Sequence, residues 1–324
     1  MRTLIANLDC ELAWARDNSP GPHKSLPPPV RRAVSEFSQS LRVFTKDDDQ
    51  FLTISDLETT PAETLRNADA VLAWGQTTAF PSKPCPADPR APWQERLWQL
   101  ACDSSVAAAC NDRSFAIGLP LDPALELPGL RMVSTLQELD AFLETAPLGP
   151  DDAWVAKAPW SASGREKLKR RGRAVLGEQR AFVTRLLRRY EKLLVEPWMQ
   201  RTADIGVAGL VGEALETSLI FPAHQLLCDA GGVFRGIRID DEQTRGLLGV
   251  HGDALMDSAR TTLEALHARG YRGPFGIDSF LYESHGTPRL RAVCEINARM
   301  SFGHVARATA EASGQATCDF APGC

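Results

Sequence analysis

Two runs near the C-terminal end constrain this chain more than any other feature. Phe275–Tyr282 and Leu290–Asn297 are both rich in strand-forming residues, and the polar, glycine- and proline-containing segment Glu283–Pro288 separates them. That is the pattern of a hairpin. Side chains alternate along a strand, so in Cys294-Glu-Ile-Asn-Ala-Arg299 the residues Glu295, Asn297 and Arg299 share one face while Cys294 and Ile296 take the other. Once the hairpin closes, Asp278 of Gly276-Ile-Asp-Ser-Phe280 falls near Glu295. Like charges at neighbouring ladder positions destabilise a sheet unless a cation lies between them. Two carboxylates and an amide oxygen are hard donors suited to Mg²⁺. The spacing alone equally allows a solvated polar face on an edge hairpin.

Elsewhere the pattern alternates between strand and helix. Residues 3–8 and 69–74 read as short buried strands, and the proline-rich stretches Ser19–Pro29 and Pro81–Pro92 read as loops. These make a small α/β lobe of roughly one hundred residues. Beyond it, Gln94–Ala109 reads as helical. Val133–Leu143 reads as a strand running into a helix, with Ser134 or Thr135 as N-cap and Glu138 completing a capping box. Further strands are predicted at 154–157, 192–196, 205–211 and 218–221, and further helices at 177–190 and 254–269. No internal repeat is visible.

Two more segments carry chemistry. In Trp154-Val-Ala-Lys157-Ala-Pro-Trp-Ser161-Ala-Ser163-Gly164-Arg165, a lysine ends an apolar strand and a small-residue loop follows. A point charge beside free backbone N–H groups is what a polyphosphate needs, although such a lysine can equally be a surface residue at a strand end. The other segment, Leu193-Leu-Val-Glu196-Pro-Trp198-Met199 followed by Arg201-Thr-Ala-Asp204, is by itself only an apolar strand end. Ten Lys or Arg residues and only two Glu lie between Arg165 and Arg189. Phe182, Leu186, Leu187 and Tyr190 form a stripe there. The leading reading is therefore a helix with a solvated basic face, ahead of anionic-substrate contacts and well ahead of RNA or DNA. Arg235 and Arg238 sit on what reads as a hairpin strand, with one of them a candidate to reach a cleft. His304 is the histidine nearest Arg299 and reads as a helix cap or a substrate contact.

Composition narrows the partners. A formal charge of −5 over 324 residues argues against a surface committed to nucleic acid or an anionic membrane. The eight cysteines show no CxxC pair and no zinc spacing, so they read as reduced thiols. Asp9 interrupts any N-terminal apolar region, and no run of 18 apolar residues occurs. A soluble, cytoplasmic protein is the expectation.

Taken together, Asp278, Glu295-Ile-Asn297-Ala-Arg299, the strand lysine with its loop, and Glu196 to Asp204 resemble the ATP-grasp superfamily in order and spacing. The resemblance covers roughly residues 106–324. It implies an α/β (α+β) ATP-grasp fold: two α+β subdomains, 106–195 and 196–324, gripping ATP behind an N-terminal lobe at 1–105. Asp278, Glu295 and Asn297 would hold Mg²⁺, usually two ions, with Mn²⁺ able to substitute. Lys157, Ser161, Ser163 and Gly164 would contact the phosphates, with Arg113 a further basic ligand. Glu196, Trp198 and Met199 would flank the adenine, and Asp204, where the family often has glutamate, would bind the ribose. Arg299 would meet the transferred phosphate or the substrate carboxylate. The implied activity is ligation of a small-molecule carboxylate to an amine through an acyl phosphate, under a Ser161–Gly172 loop that closes over ATP. Alternatives are a phosphoryl or carboxyl transferase and a non-catalytic ATP-binding regulator. Homodimers are common in the family.

Overall fold

The computed structural model describes residues 1–18, 28–57, 59–60, 62–146, 148, 152–160, 166–229 and 234–321. Ser161, Ser163 and Gly164 therefore lie outside the described residues.

The first sheet is parallel. Strands β1 (Arg2–Ala6), β2 (Gln50–Thr53) and β3 (Ala70–Ala73) stand in the order β2-β1-β3, with helices α1 (Cys10–Asp17) and α2 (Pro28–Ser38) in the connection from β1 to β2. β1 and β3 are the two runs expected as strands, each shorter than read. β2 went unread because Gln50 and Thr53 dilute its apolar signal.

β4 (Arg131–Val133), β5 (Ala153–Lys157), β6 (Lys167–Arg171) and β7 (Leu193–Pro197) form a second sheet, antiparallel, in the order β4-β7-β5-β6. Thr135 is the N-cap after β4, and Glu138 reaches past it to Ser134, so the expected capping box forms only in part. The Thr135 hydroxyl accepts from the Glu138 N–H at 3.1 Å, and the Glu138 carboxylate accepts from the Ser134 N–H at 2.6 Å. β6 corrects the loop reading of Ser161–Gly172. Its Lys-Leu-Lys-Arg-Arg sequence hides a strand because it lies at the sheet edge, where charged side chains face solvent and discourage pairing with another chain. Residues 94–109 likewise form no single helix. A short turn at Trp93–Arg96 gives way to a separate helix, Ser104–Asn111, opened by Asp103, whose carboxylate accepts from the Ser105 N–H at 2.7 Å.

The third sheet carries the long hairpin. β8 (Arg201–Val211) lies at its centre, flanked by β12 (Gly273–Ser284) and β10 (His224–Cys228), with β9 (Leu219–Ile220) also paired to it. The order β13-β12-β8-β10-β11-β14 adds β11 (Phe234–Asp240), β13 (Thr287–Asn297) and β14 (Thr317–Phe320). β12 and β13 are joined by His285-Gly286 alone, both at positive φ (51° and 73°), the left-handed pair that a tight two-residue hairpin requires. The helix Gly252–Ala268 buries Leu255, Ala259 and Leu266 against β8 and β13, and the helix Phe302–Ser313 packs on β11 and β14. The helix Gly177–Tyr190 forms over the expected range, with Val183, Leu186 and Tyr190 inward. Its basic face is solvated or ion-paired: Arg180 meets Asp140 at 2.9 Å, and Arg189 meets Glu166. Among the described residues no helix is long and apolar enough to cross a membrane, and the seven described cysteines are free.

Candidate active site

Where the three sheets meet, a cavity of about 680 Å³ opens. Its charged end is built by the hairpin. Asp278 pairs directly with Glu295 and Gly276 with Asn297, so the side chains of Asp278, Glu295 and Asn297 project from one face into the cavity, as the alternation required. A register shift between Asp278 and Phe280 marks a bulge, and the Ser279 hydroxyl donates to the Ala292 carbonyl at 2.5 Å across it.

The next strand leaves room for these acids. Gly206 of β8 lies opposite Asp278 on one side and His224 on the other. A Cβ on Gly206 would come within 2.3 Å of His224 Nε2, so only glycine lets the imidazole pack there. Asp204 sits two residues earlier on β8 itself, held by Arg201 at 2.5 Å, and not on a turn after β7.

Burial, and then the charge of Glu295, pushes the Asp278 carboxyl above the usual carboxylate range. Burial pushes on Glu295 too, but Arg113 and Lys157 more than offset it and hold Glu295 below its usual value. Two facing, partly buried carboxylates thus resist joint ionisation, and a divalent cation between them would remove the conflict. The donor set of Asp278 and Glu295 carboxylates with the Asn297 amide oxygen fits a hard ion such as Mg²⁺.

Arg113, Lys157, Arg201 and Arg299 are among the cations that line the cavity. Arg113, buried at the start of a short helix, donates to Glu295 Oε1 at 2.9 Å and to the carbonyls of Ala158 and Pro159. Lys157, the last residue of β5, is buried and ion-paired with Glu196 of β7. Arg201 lies 4.2 Å over the Phe280 ring. Arg299 follows β13 and donates to Asn297 Oδ1 at 2.9 Å, to the Met300 carbonyl at 2.8 Å, and to Glu11 of α1 at 2.5 Å.

The segment after β7 divides. Trp198 faces the cavity, with Lys169 Nζ 3.7 Å above its ring. Met199 turns away to pack with Leu127, Tyr282 and Cys294, and Glu196 stands behind Lys157 and does not line the cavity. Arg235 reaches the cavity, whereas Arg238 pairs with Asp319. His304 is a cap. Its Nδ1 accepts from the Ser301 N–H at 3.1 Å and its Nε2 donates to the Gly209 carbonyl at 3.0 Å, which fixes one neutral tautomer.

Sequence reasoning missed three contributors. Glu11 lies on a helix in another lobe and has no local signal. Asn111 clamps the strand end that carries the motif, donating to the Ala298 carbonyl at 3.1 Å and accepting from the Ala298 N–H at 3.0 Å. Lys167 was hidden in the edge strand read as loop.

No protein-family model matches the chain, and no curated protein sequence does. Solved structures do. N5-carboxyaminoimidazole ribonucleotide synthetase from Thermus thermophilus is 14% identical over 93% of this chain and 72% of its own, with a TM-score of 0.50. Carboxyaminoimidazole ribonucleotide synthase from Aspergillus clavatus, complexed with ATP, is 14% identical over 93% and 70%, with a TM-score of 0.49. D-alanine–D-alanine ligase from Bacillus anthracis is 11% identical over 98% and 93%, with a TM-score of 0.47. Of these three, the Thermus likeness alone is close enough to carry an argument, and it is one of fold. The chain has the ATP-grasp fold that its motifs implied.

Proposed function

We propose that this chain is an ADP-forming ligase that activates a small-molecule carboxylate with ATP and joins it to an amine. The observation that carries the reading is the direct pairing of Asp278 with Glu295, with Asn297 beside them, in a cavity that also holds Arg113, Lys157 and Arg299. Phosphoryl transfer asks a protein mainly to align two mutually repelling anions and to stabilise charge on the phosphoryl oxygens. Arg113, Lys157 and Arg299 would supply the positive charge that this needs.

In this reading Lys157 and Arg113 hold the phosphates, Trp198 and Asp204 bound the base and ribose, and Arg299 orients the carboxylate. Glu196 acts through Lys157 by holding the ammonium in place. A carboxylate oxygen of the substrate attacks the γ-phosphorus, the bond to the β–γ bridging oxygen breaks, and ADP leaves with the electron pair. The amine then attacks the acyl carbon, phosphate departs, and the new amide loses one proton. Asp278, Glu295 and Asn297 would hold Mg²⁺, which when bound would neutralise phosphate charge.

The test is substrate-dependent ADP release from a panel of acids, with hydroxylamine as the common nucleophile so that the natural amine need not be known. The wild-type chain is expected to release ADP and form a hydroxamate, and Glu295→Ala to do neither. ATP that binds without turnover on any acid would refute the ligase reading.

A further inference from the structure

Beyond the charged end, the cavity continues into an apolar compartment that the proposed chemistry does not use. Val30, Val34 and Phe37 of α2 are spaced i, i+4, i+7 and form one helical face on its N-terminal side. Phe234 at the start of β11 stacks on Phe302, with ring centroids 5.8 Å apart and planes 13° from parallel, on the other side. Trp74, at the end of β3, packs against Phe302 at 5.2 Å and closes the floor.

Trp74 belongs to the core, but Phe37 and Phe234 do not. Phe37 and Phe234 are 38% and 37% exposed, so their apolar surface remains available to a ligand. The polar groups at this end are already engaged or neutral. Arg235 is paired with Asp229 at 2.6 Å, and burial, with Arg307 and His304 near, lowers the His224 imidazole to about 3. Among the described lining residues that α2, β10 and β11 supply, Arg235 is the one charged side chain, and Asp229 already matches it. The nucleotide end has a different origin: Lys157 and Trp198 come with the β4–β7 sheet, whereas the apolar end comes with α2, β10 and β11. Arg299, held by Glu11 of α1, stands in the same cavity and connects the two ends.

Resting on the ligase reading, we propose that the substrate acid carries an apolar side chain of branched-aliphatic or aromatic size, lodged between the α2 face and the Phe234–Phe302 stack, with its carboxylate toward Arg299. Transfer of such a group from water onto exposed apolar walls favours binding in proportion to the area covered, while a charged side chain would be desolvated there without a partner. The compartment is therefore a specificity pocket and the residues around it set KM for the acid, not for ATP.

The experiment measures ADP release with hydroxylamine on glycine, alanine, leucine, phenylalanine, glutamate and 3-phenylpropionate, for the wild type and for Phe37→Ala, Phe234→Ala and Val34→Phe. Calorimetric titration of 3-phenylpropionate runs alongside. Leucine, phenylalanine or 3-phenylpropionate is expected to exceed alanine and glutamate in kcat/KM by roughly tenfold or more, the range an apolar pocket delivers. The two truncations should raise KM for the favoured acid roughly tenfold and leave KM for ATP nearly unchanged. Val34→Phe should penalise the larger acids and spare alanine. Because Phe37 and Phe234 are partly exposed, their truncation should leave the fold intact. A preference for glutamate or glycine, or truncations that raise KM for ATP instead, would overturn the pocket assignment and leave the ligase reading standing. With no turnover on any acid the ligase reading falls. The titration then decides the pocket alone: saturable binding lost in Phe37→Ala upholds it, and no binding overturns it.

Discussion

The buried pair Lys157–Glu196 offers the sharpest physical test, because its outcome needs no knowledge of the substrate. Only 11% of the lysine side chain and 3% of the glutamate are exposed, and Glu196 Oε2 has no hydrogen-bond partner among the described residues. Burial pulls the Lys157 ammonium down, yet the Glu196 carboxylate more than offsets it and holds the pKa above the usual lysine value. Removing one member of such a pair strands the other in a poorly solvated site, at a cost of roughly 3 to 5 kcal/mol. Glu196→Gln should therefore lower the thermal midpoint by roughly 5 to 10 °C, given the few degrees expected per kcal/mol. Lys157→Met should cost a similar amount. The double variant removes both charges and should recover, by a coupling of roughly 2 to 4 kcal/mol relative to the sum of the singles. Chemical denaturation of the four proteins measures the cycle. A double variant whose loss equals the sum of the single losses would show that the two groups do not rely on each other, and the pairing would then explain nothing about how the site's interior is held.

Three further outcomes follow from the geometry. Gly206→Ala places a methyl 2.3 Å from His224 Nε2 and should cost about 1 to 3 kcal/mol in a denaturant melt; the same substitution in a His224→Ala background should cost much less. Asn111→Ala unpins Ala298 from the helix Ser104–Asn111, so substrate-dependent ADP release should fall by about tenfold or more, well beyond what an unfolded fraction measured by circular dichroism explains. Burial lowers the His304 imidazole to about 4, against 6.5 unfolded, so the unfolded chain takes up the proton first as pH drops. Stability should then be level above about pH 6.5 and fall toward pH 4 by about 1.4 kcal/mol per unit for this group, a slope that His304→Asn should reduce.

How far the sequence could be read depended on whether a signal was local. The hairpin with Asp278, Glu295 and Asn297 was legible because alternation fixes which side chains share a face; its register is set by the two-residue turn His285-Gly286, where the sequence reads as the longer loop Glu283–Pro288. Lys157 was legible because an apolar strand ends on it. β6 was not, since an edge strand is written in lysine and arginine, the same letters that write a solvated loop. Glu196 was a nucleotide contact only by the family resemblance, since its segment by itself reads as an apolar strand end, and its inward pairing with Lys157 is invisible until β5 and β7 are placed side by side. Glu11 and Asn111 reach the site across 288 and 187 positions of chain respectively, Glu11 to Arg299 and Asn111 to Ala298, so nothing in their neighbourhoods marks them.

The site's charges show why so dense a cluster folds at all. Lys157 is matched by Glu196, Arg113 by Glu295, Arg201 by Asp204, and Arg299 by Glu11, each partner supplied by a different strand or helix except in the Arg201 pair on β8. In folding, each of these four cations gains a carboxylate that offsets its desolvation. On the proposed function, a polyphosphate entering the cavity would compete with those same carboxylates, so fold stability and anion affinity would draw on one set of interactions. Loosening a pair should consequently weaken the fold and sharpen its response to ligand. For Glu196→Gln, inorganic tripolyphosphate should raise the thermal midpoint by more than it does for the wild type, because the released Lys157 charge is then matched only when the anion is bound. An equal shift in the two proteins would mean that Lys157 does not reach the anion, and its proposed role as a phosphate ligand would fall with it.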